Sequence, residues 1–457
     1  MLTPPSTRVY ALACPTRRGA TLSDRESVAL NRPPSSSAGT SVAPEGATRR
    51  TGLVGRFSTL QSLQYRDFRW VWAGTSASFM GMNMQMITNG WLVLQLADDS
   101  PLALALVMMS FAAPMTFMSP IGGALADRLP RKRIIMLSQG GNAILTILLA
   151  TLDITGVAAF WHVMVIGVAN GSMMAFNMPS RTAIISDIVP EHRLMNAISL
   201  NNSGMNLTRV VGPAAAGVLI VFIGTAGVFY LVGAIYVLSF LLLAGMRAGS
   251  TVSTRARKGI FDDIREGVAY TARDQTLRGL IIMTFIPVLF GFSYFALLPA
   301  WAREALDVGS GDLGVLMMLM GVGALVGSLV LASITNFKQR GLLLLAASLG
   351  WGVSLAVFSQ ATSYALAVPL LMVMGLLSSL FMSLSMTLTQ LKATPEMRGR
   401  IMSINMMTFG LMPLSALPFG ALAEQIGTPD ALGLSGLLLA AFTVLFALAY
   451  PSFRRIA

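Results

Sequence analysis

The stretch GGALADRLPRKR, Gly122–Arg133, directly follows one of the most apolar runs of the chain. Its last seven residues, Asp127–Arg133, hold one Asp and four Lys or Arg residues, and we call them the charge knot. Charges gathered between apolar runs are typical of membrane proteins, in which they occupy the loops outside the bilayer. Of the 457 residues, 54% are hydrophobic and 11% are charged, whereas soluble domains carry about 25% charged residues. The sequence therefore predicts a membrane protein.

Apolar runs alternate with short polar breaks from Phe68 onward. A helix that crosses the bilayer needs about 20 apolar residues, because each residue rises about 1.5 Å along a core of about 30 Å. Twelve runs meet this requirement, and they are residues 69–96, 102–126, 133–152, 157–178, 196–221, 225–247, 277–301, 311–334, 341–359, 364–389, 400–422 and 431–450.

The polar segments divide the predicted chain into four parts. Residues 1–60 are rich in Pro, Ser, Thr and Arg without periodicity, which predicts a disordered cytoplasmic tail. Residues 61–247 and 277–457 would each form a half of six helices. The linker between them, 248–276, contains FDDIREGVAYTARD, whose apolar residues recur at helical spacing. This pattern predicts an amphipathic helix on the membrane surface.

The distribution of positive charge predicts the orientation. All of the 32 Lys and Arg residues except Arg209 and Arg303 fall on one side of the membrane if the N-terminus is inside. Since positive loops stay cytoplasmic, we expect both termini in the cytoplasm of a bacterial inner membrane. Topology and contact with anionic lipid then explain the net charge of +12, so no nucleic-acid partner is expected. One cysteine, Cys14, and two histidines predict no metal site and no cofactor.

The two halves resemble each other at an offset of about 204 residues. The motif at 190–193, PEHR, corresponds to PEMR at 395–398, and SLN at 199–201 corresponds to SIN at 403–405. Both copies lie between the fourth and fifth predicted helices of their halves, so the repeat is parallel. A substrate path is expected at the interface between two such halves.

Residues Gly123–Arg133 resemble the signature loop of the major facilitator superfamily, G-x-L-a-D-R-x-G-R-[RK]-[RK]. The runs DSPLALALVMMS, NMPSRTAIISDIVPEHRLMNAISLNN and LLPAWAREALDVGSGDLGVLMMLMGVGALVGS resemble the exporter branch that includes the enterobactin exporter and macrolide-efflux transporters. The resemblance implies an all-α membrane protein of twelve transmembrane helices in two halves. It also implies a secondary-active exporter of an amphiphilic drug or siderophore-like metabolite, working by alternating access with proton antiport. We expect it to act as a monomer.

The charge knot predicts a conformational latch. Asp127 at a helix end can accept hydrogen bonds from the N-terminus of a neighbouring helix. Arginines beside it can pair across the cytoplasmic face, and contacts made in one state bias the inward/outward equilibrium. The predicted latch residues are Gly123, Asp127, Arg128, Arg131 and Arg133.

An alternative is that Arg131, Lys132 and Arg133 are only the positive charges that set topology. The chain also departs from the family pattern at two places. Pro130 replaces the usual Gly, and Leu331 stands where the second half would carry an Asp. An asymmetric latch is therefore expected.

The fifth predicted helix carries a polar face. Ser199, Asn202, Asn206, Arg209 and Pro213 lie at offsets 0, 3, 7, 10 and 14, which share one side of a helix. An Arg inside the bilayer costs at least about 2.5–3.5 kcal/mol. We therefore expect Arg209 to face the translocation cavity. In the alternative, it pairs only with a neighbouring helix.

The same helix contains Gly212, Pro213 and Gly217, which resemble the Gly-Pro motif of antiporters, although Ala216 replaces the first Gly of its double Gly. The resemblance implies a bend and close helix packing that are associated with export. An ordinary face of small residues is the alternative.

Further polar residues within the predicted spans are candidates for a weakly polar cavity. Each could instead form an interhelical hydrogen bond, worth about 0.6 kcal/mol on average. The 30 methionines would suit an adaptable, promiscuous lining, although Met also fills ordinary cores. The candidates are Gln85, Asn89, Asn170, Asn177, Asn202, Asn206, Arg209, Tyr294, Ser378, Ser385, Asn405 and Thr408.

Other functional classes are less consistent with the sequence. The chain has no GxxxxGK[ST] motif, so ATP hydrolysis by this chain is not expected. No catalytic cluster is evident, and we predict that the protein is not an enzyme. Uptake of a small organic solute, or a transport-inactive sensor or scaffold, remains as the alternative to export.

Overall fold

The computed structural model describes residues 58–247, 265, 269–333, 339–394, 397, 401, 408 and 411–455. All regular secondary structure in these ranges is helical, which confirms the predicted all-α class. The predicted tail up to residue 57 and most of the linker lie outside the described residues. Within the linker, residues 269–273 are helical.

The first set of helices begins with a 3₁₀ helix, Ser58–Gln64. The α-helices that follow are α1 Arg66–Leu96, α2 Pro101–Arg128, α3 Arg131–Ile154 and α4 Phe160–Ile188. The range Glu191–Ala244 is helical except at Gly224, where φ is 69° and ψ is 177°. This break separates α5 from α6, at the gap predicted between the fifth and sixth spans.

In the described residues, the second set contains seven α-helices. They are α7 Gln275–Phe290, α8 Ser293–Leu306, α9 Ser310–Ser333, α10 Arg340–Ser359, α11 Tyr364–Lys392, α12 Met412–Ile426 and α13 Thr428–Ala449, followed by a 3₁₀ helix, Pro451–Arg455.

Eight helical stretches in the described residues are long and apolar enough to cross a membrane. One of them, His192–Ala244, covers two predicted spans, and another, Gln275–Leu306, joins α7 and α8 into the seventh. The eleventh predicted span, 400–422, is described chiefly through Met412–Ile426. The helices thus follow the order of the predicted spans in a multi-pass membrane protein.

The predicted end of the fourth span was wrong. The prediction ended this helix at residue 178, but α4 continues to Ile188. Pro179 follows directly after the predicted end, and proline has no N–H to donate to the carbonyl four residues earlier. Membrane helices tolerate proline when neighbouring helices satisfy the freed group. The correction places Arg181 and Asp187 inside a helix instead of in a loop.

Side-chain caps mark the starts of α2 and α7. The Ser100 side chain accepts a hydrogen bond from the N–H of Ala103, and Pro101 occupies the first turn of α2. Asp274 accepts from the N–H of Leu277 at 2.8 Å at the start of α7. Such caps satisfy N–H groups that have no partner within the helix.

The packing divides the helices into two groups. In the first, α1 and α3 pack on the α5–α6 stretch, and α2 packs on α4. In the second, α9 packs on α11, and α10 packs on α13. The α5–α6 stretch contacts α9, and α2 contacts α12, so these pairs join the two groups.

The bundle has two ends that differ in character. Since the chain crosses the bundle back and forth, the connections after α1, α3, α5, α8, α10 and α12 lie at one end, which we call the closed end. The charge knot connects α2 to α3 at the opposite end, which we call the knot end.

Candidate functional site

The charge knot fastens helix ends together at the knot end. Nη1 of Arg131 donates to both carboxylate oxygens of Asp187 at 2.7 Å and to the carbonyl of Ala183 at 3.1 Å. Nζ of Lys132 donates to the carbonyls of Ala244 and Met246 at 3.0 and 2.6 Å. A cation at the C-terminal end of a helix is favourable, because the last carbonyls have no partner within the helix.

These contacts join α3 to α4 and to the end of α6. All of these contacts lie within the first group of helices, and the latch hypothesis has Arg131 pairing across the cytoplasmic face. Lys132, which the sequence suggested only as a topology signal, has a structural role. Arg133 is exposed. The side chains of Asp127 and Arg128, and the environment of Gly123, lie outside the described residues, so the latch remains a prediction.

The first residue of the quoted stretch, Gly122, lies at a close approach of α2 and α4. A Cβ atom at this position would overlap the carbonyl oxygen of Ala175 and lie 2.8 Å from its carbonyl carbon. This carbonyl is the one that Pro179, four residues later, cannot engage, because proline has no N–H. Gly122 therefore lies beside the carbonyl of Ala175, which receives no hydrogen bond from residue 179 of its own helix.

The polar face of α5 is only partly buried. Asn202, Asn206 and Arg209 are exposed, whereas Pro213 is buried. Tyr294 of α8 interacts electrostatically with Arg209 and lies beside Ser378 of α11. Three predicted cavity residues from three different helices are thus brought together, and Arg209 lies on the side of α5 that faces the second group.

Small residues of α5 allow two close helix contacts. A Cβ atom at Gly212 would lie 2.7 Å from Cβ of Asn83 on α1. One at Gly217 would overlap the carbonyl oxygen of Ser310 and lie 2.7 Å from Cα of Gly314 on α9. The helix continues through Pro213. The Gly-Pro segment therefore lets α5 pack closely on α1 of its own group and on α9 of the second group.

Some of the other predicted cavity residues make interhelical hydrogen bonds. Ser385 and Thr284 bond to each other at 2.7 Å, which favours the structural alternative for Ser385. Gln85 accepts from the hydroxyl of Tyr236 at 3.1 Å. Thr408 is buried, whereas Asn405 lies outside the described residues.

A second set of polar side chains is buried in the first group of helices without full hydrogen bonding. Four predicted cavity residues belong to it through one atom each: Gln85 Nε2, Asn89 Oδ1, Asn170 Oδ1 and Asn177 Nδ2. Three residues of α3 that the sequence analysis did not select share this property: Gln139 Oε1, Asn142 Oδ1 and Thr146 Oγ1. Buried polar atoms are usually hydrogen-bonded to protein or water, so this concentration is unusual.

The sequence analysis missed Arg181. This residue of α4 is buried, and its Nε donates to Oδ1 of Asn177 one turn earlier. Its guanidinium lies 5.9 Å from the centre of the Phe79 ring on α1, while Nη1 and Nη2 have no hydrogen-bond partner. The signal was available, because Asn177 and Arg181 are four residues apart. It was lost because the fourth span was predicted to end at residue 178.

Charged side chains also join the two groups at the closed end. Asp99, after α1, forms an ion pair with Arg303 of α8 at 2.8 Å. Arg303 also lies 5.7 Å from the centre of the Trp91 ring. Glu424 of α12 accepts from the hydroxyl of Ser100 and from the N–H of Leu102 at 3.3 Å. The sequence pattern around these acids does not specify their partners.

Exposure changes along the helices that line the boundary between the groups. On α2, Leu104 and Val107 near the closed end are buried, whereas Phe117 and Ile121 near the knot end are 77% and 57% exposed. The α5 residues show the same trend, from buried Gly217 to exposed Asn202. On the polar face of α5, residues are therefore buried toward the closed end and exposed toward the knot end.

A separate apolar cleft of about 380 Å³ lies between α7, α12 and α13. Its lining contains no charged side chain and none of the predicted cavity residues. The lining consists of Leu289, Phe290, Leu414, Pro418, Phe419, Leu422, Leu434 and Leu438.

Curated proteins of similar sequence are transporters of nearly the same length. The staphyloferrin A transporter of Staphylococcus aureus is 23% identical over 372 residues, which cover 80% of this chain and 92% of the relative. Macrolide efflux protein A of Streptococcus pyogenes is 23% identical, covering 81% and 93%. The multidrug efflux pump Tap of Mycolicibacterium fortuitum is 26% identical, covering 76% and 87%.

Solved structures of similar fold are also membrane transporters. A bacterial homologue of the human lysosomal transporter Spinster, in an inward-facing conformation, has a TM-score of 0.68 at 15% identity, covering 85% of this chain and 98% of its own. A peptide transporter of the POT family has a TM-score of 0.70 at 13% identity, covering 85% and 95%. At these identities the similarity concerns the fold alone.

The family model for the transmembrane secretion effector, MFS_3, matches residues 57–455, which is most of the chain and includes both groups of helices. The match agrees with the helix order, the charge knot and the two-group packing. The chain belongs to the transmembrane secretion effector family of the major facilitator superfamily, a family of multi-pass membrane transporters.

Proposed function

We propose that this chain is a secondary-active exporter that carries an amphiphilic small molecule, a drug or a siderophore-like metabolite, out of the cell by alternating access. Family membership supports the class of function, and relatives named for macrolide and multidrug efflux support the direction. The observation that carries the mechanism is the difference between the two ends of the bundle. Side chains join the groups at the closed end, whereas the polar face of α5 is exposed toward the knot end.

Two six-helix halves, residues 61–247 and 277–457, would be the moving bodies. The linker 248–276 would connect them along the membrane surface. The two packing groups support this division. Alternating access in such folds is largely the rocking of one half against the other around a central site.

The knot end would face the cytoplasm, together with both termini, because it carries most of the positive charge. The described conformation would then be open toward the cytoplasm of a bacterial cell. In the opposite state, the closed end would separate, and the charge knot would approach the second half. Asp127, Arg128 and Arg133 would make their latch contacts in that state.

The substrate would bind between the halves near Arg209, Tyr294 and Ser378. Arg209 supplies a charge and a planar set of donors, and the Tyr294 ring supplies an apolar surface with one polar atom. The exposed Asn202 and Asn206 continue the polar face toward the knot end. This arrangement suits a molecule with a large apolar body and a few polar groups.

We further propose that a proton gradient drives export and that the protein acts as a monomer without enzymatic activity. In the described residues, the carboxylates lie near helix ends, as Asp99 and Glu424 do at the closed end. A proton-coupling group would therefore be found near an end of the bundle, and a site in the middle of a helix is less consistent with the sequence.

A direct test uses cells that lack their own efflux pumps and express this chain. The cells are loaded with ethidium or erythromycin, and retention is compared with that of cells carrying the empty vector. Export predicts lower retention, and an ionophore that collapses the proton gradient should remove the difference. Higher retention in expressing cells would favour uptake, and equal retention for a panel of amphiphiles would favour the transport-inactive alternative.

A further inference from the structure

Arg181 presents a chemical imbalance that the other buried polar residues do not share. Its side chain carries a positive charge and is 5% exposed, inside a helix of a membrane protein. Buried charges in membranes usually pair with one another or with backbone carbonyls. Within the part of the chain that the structure describes, Nη1 and Nη2 of Arg181 have neither kind of partner. No carboxylate among the described residues forms an ion pair with it.

Two neighbours of Arg181 each leave a further donor group without a partner. Asn177 uses Oδ1 to accept from Arg181, which leaves its Nδ2 without a partner. Gln85 uses Oε1 to accept from Tyr236, which leaves its Nε2 without a partner. The Tyr236 hydroxyl, which interacts electrostatically with Arg181, donates its proton to Gln85.

Four unpaired nitrogen atoms from α1 and α4 thus belong to one connected cluster, which we call the Arg181 cluster and which consists of Phe79, Gln85, Asn177, Arg181 and Tyr236. The group that would satisfy these atoms is an acceptor with negative charge. A guanidinium offers two parallel N–H bonds that match the two oxygens of a carboxylate. The Phe79 ring covers the guanidinium on one side and limits access by water.

The position of the cluster gives it a route to open. Arg181 lies two residues after Pro179, where α4 has lost one backbone hydrogen bond, and prolines are common sites of helix bending. Asn177 and Arg181 lie on opposite sides of this proline. A change of bend at Pro179 would therefore separate the side chain of Arg181 from Asn177 and from Phe79 on α1.

We propose that the Arg181 cluster is a carboxylate-binding site in the first half of the transporter, which takes an anionic group of the exported molecule. The proposal deepens the proposed function and rests on it for the identity of the cargo. In this proposal Arg181 binds the anionic group, and Arg209 contacts the part of the substrate that lies between the halves. Cargo with a carboxylate on an apolar body would then be preferred over its neutral amide.

The test measures binding, so it does not depend on transport. The purified full-length protein in detergent is unfolded by heat in low-salt buffer while tryptophan fluorescence is recorded. The probes are benzoate, its neutral counterpart benzamide, and sodium chloride at the same ionic strength. Benzoate should raise the unfolding temperature in a saturable way, because a ligand that binds only the folded state stabilises it. Benzamide and chloride should not.

Three variants assign the effect to the cluster. Arg181→Gln should weaken benzoate binding about 10- to 100-fold, the worth of a charged hydrogen bond. Arg181→Lys should fall between it and the parent, since it keeps the charge without the planar fork. The matched control Arg278→Gln changes an exposed arginine at the start of α7 and should bind benzoate like the parent.

Asn177→Asp gives the sharpest result and does not remove the arginine. It places a carboxylate beside Arg181, where the Asn177 oxygen already accepts from Nε. The ligand-free protein should then unfold at a higher temperature than the parent, and the response to benzoate should disappear. This variant keeps the proposal testable if Arg181→Gln fails to fold.

Three outcomes would overturn the proposal: no response of the parent to benzoate, an unchanged response in Arg181→Gln, or an equal response of the parent to chloride that Arg181→Gln abolishes. The last would indicate a site for any small anion. A protein that binds benzoate through Arg181 but exports nothing would contradict only the proposed function. One that exports amphiphiles without binding benzoate would contradict only the carboxylate site.

Discussion

The carboxylate of Asp99 and the guanidinium of Arg303 lie 2.8 Å apart and join the end of α1 to α8 across the two groups of helices. Both side chains are close to half exposed, at 49% and 40%. An ion pair of this exposure contributes about 0–1 kcal/mol. That amount is small for folding. It is large for a two-state equilibrium, because 1 kcal/mol changes the ratio of the states about fivefold.

Asp99→Asn should therefore shift the population toward the state in which the closed end is open, by up to about fivefold. The measurement is the rate at which a thiol reagent modifies a cysteine placed at Leu102 in a Cys14→Ser background. Asp98→Asn is the control, because it changes the adjacent acid and leaves the ion pair between Asp99 and Arg303 intact. Equal modification rates in both variants would show that the pair does not hold the closed end together.

Gly122→Ala should destabilise the protein by about 1–3 kcal/mol, the usual cost of forcing an extra group into a packed site. The added methyl group would overlap the carbonyl oxygen of Ala175 and push α2 away from α4. Thermal unfolding of the purified protein measures the effect. Gly309→Ala provides the matched control, because no atom lies within 4 Å of its added carbon. A similar unfolding temperature in the two variants would mean that α2 and α4 are less tightly packed here.

Much of the fold could be predicted because its main determinant is local. Runs of about 20 apolar residues separated by charges report the bilayer directly, so helix order and the break at Gly224 agreed with expectation. The end of α4 could not be predicted in the same way. Whether Pro179 ends a helix or lies within it depends on how neighbouring helices satisfy the freed carbonyl, and here Gly122 of α2 lies beside that group.

The candidate site was less predictable, because most of its contacts join residues that are distant in the sequence. Arg209 is conspicuous because a charge interrupts an apolar run, and its neighbour Tyr294 was selected independently. Arg181 was counted with the loop charges once its helix had been ended too early. The partners of Asp99 and Glu424 come from distant parts of the chain, and the pattern around each acid does not specify them.

Asp187→Asn should lower the stability of the first half by about 1–3 kcal/mol. The substitution removes the negative charge from a contact in which both side chains are about one-tenth exposed, at 11% for Arg131 and 10% for Asp187. The readout is the unfolding temperature. Asp307→Asn is the matched control, because Asp307 is exposed and has a left-handed backbone (φ 51°) that Asn also adopts readily. Equal stability of the two variants would argue that the Arg131 contact is dispensable.

Substitutions at Arg209 separate charge from geometry. Arg209→Lys keeps the charge but loses the planar fork, whereas Arg209→Gln keeps hydrogen bonding but loses the charge. If the fork orients the substrate, both variants should slow export, and the worth of a charged hydrogen bond predicts about 10- to 100-fold weaker apparent affinity. If only charge matters, Arg209→Lys should recover most of the activity. Transport by Arg209→Gln at the parent rate, with equal expression, would make Arg209 a packing residue.

The most direct measurement tests whether the closed end must open for transport. Ser100→Cys and Glu424→Cys are combined in a Cys14→Ser background, because these two side chains contact each other between α2 and α12. A short bifunctional thiol reagent links them, and efflux of a substrate dye is measured before linking, after linking and after cleavage of the linker. Alternating access predicts that efflux stops when the ends are linked and returns when the linker is cleaved. Efflux at an undiminished rate in the fully linked protein would contradict the account.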